Sequence, residues 1–426
     1  MSESKYKQSE LGEVTQERRI PRGWRLVKLC DVSIAFVSGG TPSTSRLDYW
    51  DGDMAWMTSS HLTAREVTTA QRYITRDGLE NSATNVVPKD SLLVATRVGV
   101  GKVAVNRIDT TISQDLTGIV LDKKRVSTDF LYWFLSSSRH KLRSLAQGST
   151  IRGILRQDLG KLELFLPSLP EQQRIAEILS TVDETIQKID HAIEKTRRLK
   201  TGLMYRLLTR GIGHKEFKET EIGRIPREWQ VKELEKVAHI NRESRDPARE
   251  CPDGRFFYVD IDSVENGTGV FRNVREVVGK DAPSRARRVV RRNDVIMSTV
   301  RPYLKAFAIV PETYDNQISS TGFAVLTCKQ NILPIYLLYT LFSDPFVQQC
   351  NKAMVGGQYP ALNSSQVARI MVPIPSLLEQ QKIAEILSTV DRRLELLTGK
   401  KQRLERTKAG LMNDLLTGRR RVKLTH

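Results

Sequence analysis

Apolar residues step by four, three, four, three and four through Ile175, Leu179, Val182, Ile186, Ile189 and Ile193. The same steps run through Ile383, Leu387, Val390, Leu394 and Leu397. That spacing predicts two long helices, each with an a/d heptad seam. Leu199, Leu203 and Leu207 extend the first stripe, as Leu404, Leu411 and Leu415 extend the second. Pro170 stands at the helix entrance, where a missing N–H costs nothing. Glu171 and Glu379 occupy first turns and suit the positive end of the helix dipole, while Arg197, Arg198, Lys200 and Arg206 load later turns with the opposite charge. Gly399 is a weak spot, costing up to about 1 kcal/mol relative to Ala. A helix of about 38 residues is about 57 Å long and cannot bury such a stripe alone. Two stripes in one chain predict an antiparallel coiled coil, if the domains between them are related by a pseudo-twofold. The competing arrangement is two separate helices, each capping its own domain.

Elsewhere the period shortens to two. "SLLVATRV" from Ser91 and "KVAVNRI" from Lys102 alternate and are β-branched, as are "DVIMSTVRP" from Asp294 and "KAFAIVP" from Lys305. These read as strands. Helical stretches follow at "TDFLYWFLSS" (Thr128) and "PIYLLYTLFSDP" (Pro334), whose aromatic and Leu stripes suit a core. "SDPF" at Ser343 reads as a helix stop. The predicted fold class is therefore α+β, with two similar mixed domains alternating with two long helices.

The helical segments repeat each other almost verbatim. "PSLPEQQRIAEILSTVDETI" starts at Pro167 and "PSLLEQQKIAEILSTVDRRL" at Pro375; from Pro167–Thr209 against Pro375–Thr417, 23 of 43 positions are identical. "IPRGWRLVKL" at Ile20 similarly resembles "IPREWQVKEL" at Ile225. The duplication divides the chain into an N-terminal segment (1–19), a first variable domain (20–166), a central helix (167–212), a second variable domain (213–374), a C-terminal helix (375–418) and a basic tail (419–426). Glu171, Gln172 and Gln173 stand near the domain–helix junction, where a partner surface is expected.

Charge then suggests a partner for the variable domains. Lys plus Arg is 67 against 49 for Asp plus Glu, a net charge of +18. Such a field attracts polyanions, and phosphate neutralisation supplies most non-specific nucleic-acid binding. The predicted strand pairs turn at "RVGVGK" and "RPYLK", presenting Arg97, Lys102, Arg301, Tyr303 and Lys305 at hairpin tips. A polar Gly-bearing loop precedes each long helix: "AQGSTIRG", with Gln147, Ser149, Thr150 and Arg152, and "MVGGQYPALN", with Gly356, Gly357, Gln358 and Tyr359. Glycine admits close backbone approach, and these side chains suit base edges and phosphates. Thr58, Ser59 and Ser60 at one strand end, and Tyr258 in the strand "FFYVDIDS", are further candidates.

No catalytic or metal-binding pattern emerges. "GVGK" at Gly99 lacks the length and Ser/Thr of a phosphate-binding P-loop, and the six histidines form no metal-ligand pair. There is no Asp/Asn-Pro-Pro-aromatic methyltransferase motif. The scattered Cys30, Cys251, Cys328 and Cys350 suit free thiols in a reducing cytoplasm. The opening "MSESKYKQSELGE" is polar, unlike a signal peptide, and no run approaches a membrane span. The chain reads as a cytoplasmic reader rather than a catalyst. A protein-binding coiled-coil scaffold with incidental DNA affinity is the alternative.

Two variable domains alternating with "PxLxEQQxIAEILSTVD … KxGLMxxLLT" resemble the specificity subunit of type I restriction–modification systems, and "GTPSTSRLDYWDGDMAWMTSSHL" is similar to that family's first-domain opening. The resemblance implies that each variable domain is a target recognition domain reading one half of a split, asymmetric site in double-stranded DNA. It implies that the helices set the spacer and dock two methyltransferase subunits, with restriction subunits as further partners. S-adenosylmethionine, and ATP with magnesium, would then sit on those partners, leaving this chain no cofactor and no catalytic residue. Helices of about 57 Å exceed the roughly 34 Å rise of a DNA turn, and rigid spacing turns two weak readouts into one specific one.

Overall fold

A computed structural model describes residues 6–7, 20–146, 153–354 and 361–424. The chain forms two compact units that do not follow chain order: Met1–Asp190 with Gly399–His426, and His191–Thr398. Both boundaries fall inside the long helices, so each unit contains half of each helix.

In the first unit a five-stranded sheet runs Ser33–Ser38, Leu116–Leu121, Ser91–Ala95, Val103–Asn106, Glu66–Val67. A four-stranded sheet runs Arg72–Ile74, Trp50–Met57, Thr110–Ile112, Asn85–Val87. The run Ser91–Ala95 is buried throughout because the strand is covered on both faces. Strand alternation then splits its side chains. Leu92 and Val94 join the core under the helix Thr128–Ser137, with Phe130, Trp133 and Phe134. Leu93 and Ala95 point the other way, toward Met57, Val87 and Ile112.

The second unit repeats this logic. Its sheets run Ala238–Ile240, Phe323–Cys328, Val295–Ser298, Phe307–Ile309, and Arg275–Val278, Arg255–Val259, Gln317–Ser320, Ala286–Val290. Val295, Met297 and Phe307 pack with the helix Pro334–Phe342, while Ile296 and Ala308 face the second cluster. The "SDPF" stretch ends that helix and also starts another, Asp344–Ala353, with Pro345 in its first turn. Proline breaks the preceding helix and costs nothing at the next one's entrance.

The repeated "IPRxW" forms a tight turn in each unit, Trp24 N–H to Pro21 O and Trp229 N–H to Pro226 O, both 3.0 Å. The strands that follow, Arg25–Lys28 and Gln230–Glu233, pair antiparallel with Glu163–Leu166 and Met371–Ile374, which lead into the long helices. Each domain is thereby closed by the start and end of its own sequence.

The long helices are Leu169–Arg210, 42 residues, and Leu377–Leu416, 40 residues. In the first unit Asp183 pairs with Lys408 at 2.5 Å and Asp190 with Lys401 at 2.7 Å. Seven residues forward on one helix is seven back on the other, so they run antiparallel. In the second unit Lys200 pairs with Asp391 at 2.5 Å, and Leu207 and Leu208 share a core with Ile383 and Leu387. Asp183 and Asp391 are repeat equivalents, as are Lys200 and Lys408.

These pairs correct the predicted stripe. Leu199 is 55% exposed. Continuing the heptad from Ile193 instead leads to buried Thr196, then Lys200, then Leu203 and Leu207. Hydrophobicity favours Leu199, but helical phase favours Lys200, whose stem packs while its ammonium reaches Asp391. Ile175, Leu179, Ile186, Ile189, Ile193, Ile383 and Leu387 are buried; Val182, Val390, Leu394, Leu397 and Leu404 are half-buried. Ile175 and Leu179 pack into the domain core beside Phe130 and Trp133 as well as against Leu415 and Leu416.

Among the described residues no helix is long and apolar enough to cross a membrane. All four cysteines are free thiols. Burial pushes those of Cys328 and Cys350 up to about 12.

Candidate nucleic-acid interface

The repeated "EQQ" is what holds each domain to its helix. Glu171, 3% exposed, accepts from Trp24 Nε1 at 3.2 Å and from Arg421 Nε and Nη2 at 2.5 and 2.7 Å. Glu379 accepts from Trp229 Nε1 at 3.0 Å and the Ile212 N–H at 2.9 Å, and contacts His214 Nε2 at 2.9 Å. Gln172 and Gln380 are fully buried. Gln172 accepts from Ser127 N–H at 2.8 Å and donates to the Arg125 and Pro167 carbonyls; Gln380 does the same with Leu333, Asn331 and Pro375. Each glutamine thus bridges two backbone segments whose polar groups would otherwise be buried unpaired. The expectation of a partner surface at Glu171 and Gln172 is therefore overturned, because both are internal. Gln173 and its equivalent Gln381 are exposed.

With the domains fixed in this way, two predicted features come together in each. In the first unit Ser91–Ala95 and Val103–Asn106 form the expected antiparallel hairpin. Its turn is made by Gly99 and Gly101 at φ +67° and +85°, which residues with a Cβ rarely adopt. The chain returns from 147–152 beside this turn: Ile154 N–H donates to Thr96 O at 2.8 Å. In the second unit Leu362 N–H donates to Thr299 O at 2.9 Å and Ala361 bridges Val300, so the chain returning from 355–360 also lies against a basic turn. That turn is a short 3₁₀ segment, Pro302–Leu304, flanked by Arg301 and Lys305 in the left-handed region. Non-glycine residues rarely take this conformation, and they concentrate at functional sites.

The side chains divide clearly. Arg97, Arg301 and Tyr303 are exposed on the turns. Lys102 is half-buried, its ammonium 3.3 Å from Ser59 O. Lys305 donates to Phe342 O at 2.8 Å and pairs with Asp344 at 3.1 Å, so it ties the turn to the end of the helix Pro334–Phe342. Ser60 is exposed and Thr58 half-buried, their hydroxyls 2.7 Å apart. Two candidates are corrected. Ser59 is buried, its hydroxyl directed at Asp115 at 3.4 Å, and it supports the segment from within. Tyr258 is a core residue packed with Val289 and Ile318, because strand alternation sends it inward. Gln147, Ser149, Thr150, Arg152, Gly356, Gly357, Gln358 and Tyr359 lie outside the described residues.

A charged network underlies the first domain. Arg107 pairs with Glu66, Asp129 and Asp90 at 2.8, 2.8 and 3.0 Å, and Arg65 with Glu66 at 2.7 Å. Arg65 also donates to Ser180 of the long helix. Burial alone would raise the Glu66 carboxyl; the Arg107 hydrogen bond and the charges of Arg65 and Arg107 outweigh it and hold Glu66 below its usual range. Among the described residues no group of three His, Cys, Asp or Glu is placed to hold a metal ion.

Comparison with known proteins places this architecture. The family model described as "Type I restriction modification DNA specificity domain" matches residues 21–196 and 226–406. The chain is 26% identical over 419 residues, covering 95% of both proteins, to the type I restriction enzyme MjaVIII specificity subunit of Methanocaldococcus jannaschii. The crystal structure of a type I restriction–modification S subunit from M. genitalium shares the fold, with a TM-score of 0.58 at 17% identity, over 94% of this chain and 97% of that one. A chain from a structural study of type I complex assembly and conformational transition gives 0.56 at 16%, over 93% and 98%. Two α+β domains, each closed onto a long repeated helix and each matched by the same model, make this chain a member of the type I restriction–modification DNA specificity family.

Proposed function

We propose that the chain reads a bipartite, asymmetric DNA sequence through two target recognition domains, residues 20–166 and 213–374. As a family member it is the sequence-recognition part of a type I restriction–modification complex and is not itself the catalyst. One observation supports the split reading above all. Each unit places a basic turn beside the chain that follows 147–152 or 355–360, and in each the domain is held to its own helix by an equivalent Glu and Gln. The frames match, but the residues carried on them differ. Equivalent scaffolds with unlike surfaces suit two different half-sites. Arg97, Arg301 and Tyr303, with Ser60 and residues within 147–152 and 355–360, are the proposed DNA contacts, and Lys102 and Lys305 are proposed to position the turns.

The helices in this proposal set the spacer and dock two methyltransferase subunits. Gln173, Glu177 and Thr181, four residues apart, form an exposed stripe that recurs unchanged as Gln381, Glu385 and Thr389. Fold packing does not account for their identity, whereas the same partner bound twice does. S-adenosylmethionine, and ATP with magnesium, belong on the partner subunits, in the cytoplasm.

Exchange of residues 20–166 for the matching domain of a relative, followed by methylome sequencing of cells expressing the chain with its methyltransferase, tests the reading. One half of the methylated sequence is expected to change. An unchanged methylation pattern, or one changed in both halves, refutes it.

A further inference from the structure

Arg285, Arg287, Arg288, Arg291 and Arg292 crowd into eight residues at the strand Ala286–Val290. Most are neutralised. Arg287 meets Asp246 at 3.3 Å, Arg291 meets Glu243 at 2.7 Å, and Arg292 meets Glu312 at 3.2 Å. Arg288 has no carboxylate partner among the described residues, and its buried Nε donates to nothing among them. Its surroundings strip away solvent, which pushes the guanidinium down from its ordinary value.

This placement is built by a β-bulge. Ala286 faces Ser320 and Arg288 faces Ser319, leaving Arg287 as the inserted residue. The bulge puts Ala286 and Val289 into one cluster with Tyr258 and Ile318, and sends Arg288 to the opposite side, that of Val290. Bulges re-aim side chains and are over-represented beside functional sites. An unpaired, partly desolvated cation costs stability, and an apolar side chain of similar length would avoid that cost.

The strand also adjoins the candidate interface. Arg285 O accepts from Thr321 N–H at 2.8 Å, and the next residue's carbonyl, Gly322 O, accepts from Thr299 N–H at 2.8 Å. Thr299 is the residue against which the chain returns after 355–360. Arg285 is exposed and has no ion-pair partner among the described residues.

We propose that Arg288, with Arg285 beside it, is a DNA-phosphate contact of the second recognition domain, lying along the strand behind the basic turn. A phosphate carries the full negative charge that offsets the desolvation of a lone guanidinium; a neutral base edge does not. This inference rests on the reading of that domain as a DNA reader.

The test uses the chain with its methyltransferase partner, a duplex carrying the methylated sequence and an unrelated duplex, over a salt series. Arg288→Met is expected to weaken binding to both duplexes by roughly five- to tenfold. It should lower the slope of log affinity against log salt by about 0.9, with an unchanged or higher Tm for the free protein. Arg288→Lys keeps the slope. Unchanged affinity and slope in Arg288→Met overturns the proposal. So does a change of preference at one base pair with the slope intact, which would make Arg288 a base reader. A lowered Tm with weakened binding restored at lower temperature also overturns it, as a structural role. If the wild-type complex itself shows no sequence-selective binding, the underlying reading fails instead.

Discussion

The Glu171–Arg421 pair offers an asymmetric test of how the domain is anchored. The carboxylate is 3% exposed and the guanidinium 46%. Arg421→Ala leaves a carboxylate in the core with Trp24 Nε1 as its remaining side-chain donor. Removing one partner of a buried pair costs about 3–5 kcal/mol; with Trp24 still donating, about 3 kcal/mol is expected. Glu171→Gln keeps the volume and an acceptor for Trp24, and the half-exposed Arg421 regains water, so about 1 kcal/mol is expected. The 2 kcal/mol difference corresponds to about a thirtyfold difference in local opening. The double variant removes the stranded charge and should be more stable than Arg421→Ala alone. Hydrogen exchange with mass spectrometry, on peptides covering 20–28 and 411–424, reads these opening free energies in one region without requiring the whole chain to unfold in one step. The reasoning fails if Glu171→Gln opens the region as much as Arg421→Ala does. It fails equally if the double variant shows the sum of the two single effects.

Two further outcomes follow from the helices and the charged network. Asp183→Ala strands half-buried Lys408 and is expected to cost about 1–3 kcal/mol, whereas Asp183→Leu with Lys408→Met is expected to be nearly neutral; thermal unfolding of the wild type, the single variant and the double variant checks this. Glu66 is held below 4.5, its ordinary value, so the folded state binds fewer protons there than the unfolded state. Its stabilising contribution is full at neutral pH and is lost as pH falls below 4.5 through the folded value. Glu66→Gln should therefore flatten the acid limb of a Tm–pH profile and lower the neutral plateau; an unchanged acid limb contradicts the assignment.

Much of this architecture was legible as pattern. The four-three stepping of Ile175 to Ile193 pointed to a long helix, because that period is a property of local backbone geometry, and short β-branched runs such as "KVAVNRI" pointed to strands. The duplication showed that the plan is repeated, whereas the compact units divide inside the long helices rather than between modules. The first hairpin turn was legible too, since "RVGVGK" carries the glycines that a left-handed turn demands, whereas in the second the left-handed positions fall on Arg301 and Lys305. The roles of individual side chains were not. Leu199 looked like the seam and Lys200 like a surface charge until the opposing Asp391 was in place. Ser59 and Tyr258 looked available until the neighbouring strands covered them. Glu171 and Gln172 looked like partner-facing polar residues, and the tertiary fold turned them inward to satisfy Trp24, Arg421 and three backbone groups.

The physical reason is the range of the interactions. Helical phase, strand alternation and turn chemistry act over a few residues, so the sequence by itself determined the elements, their order and the twofold repetition of the plan. Burial of a polar side chain depends on a partner that is distant in the chain, as Glu171 and Arg421 are, or Asp183 and Lys408. Only the tertiary structure decided which of the chain's many charges are spent within the fold and which, like Arg288, are left without a partner among the described residues.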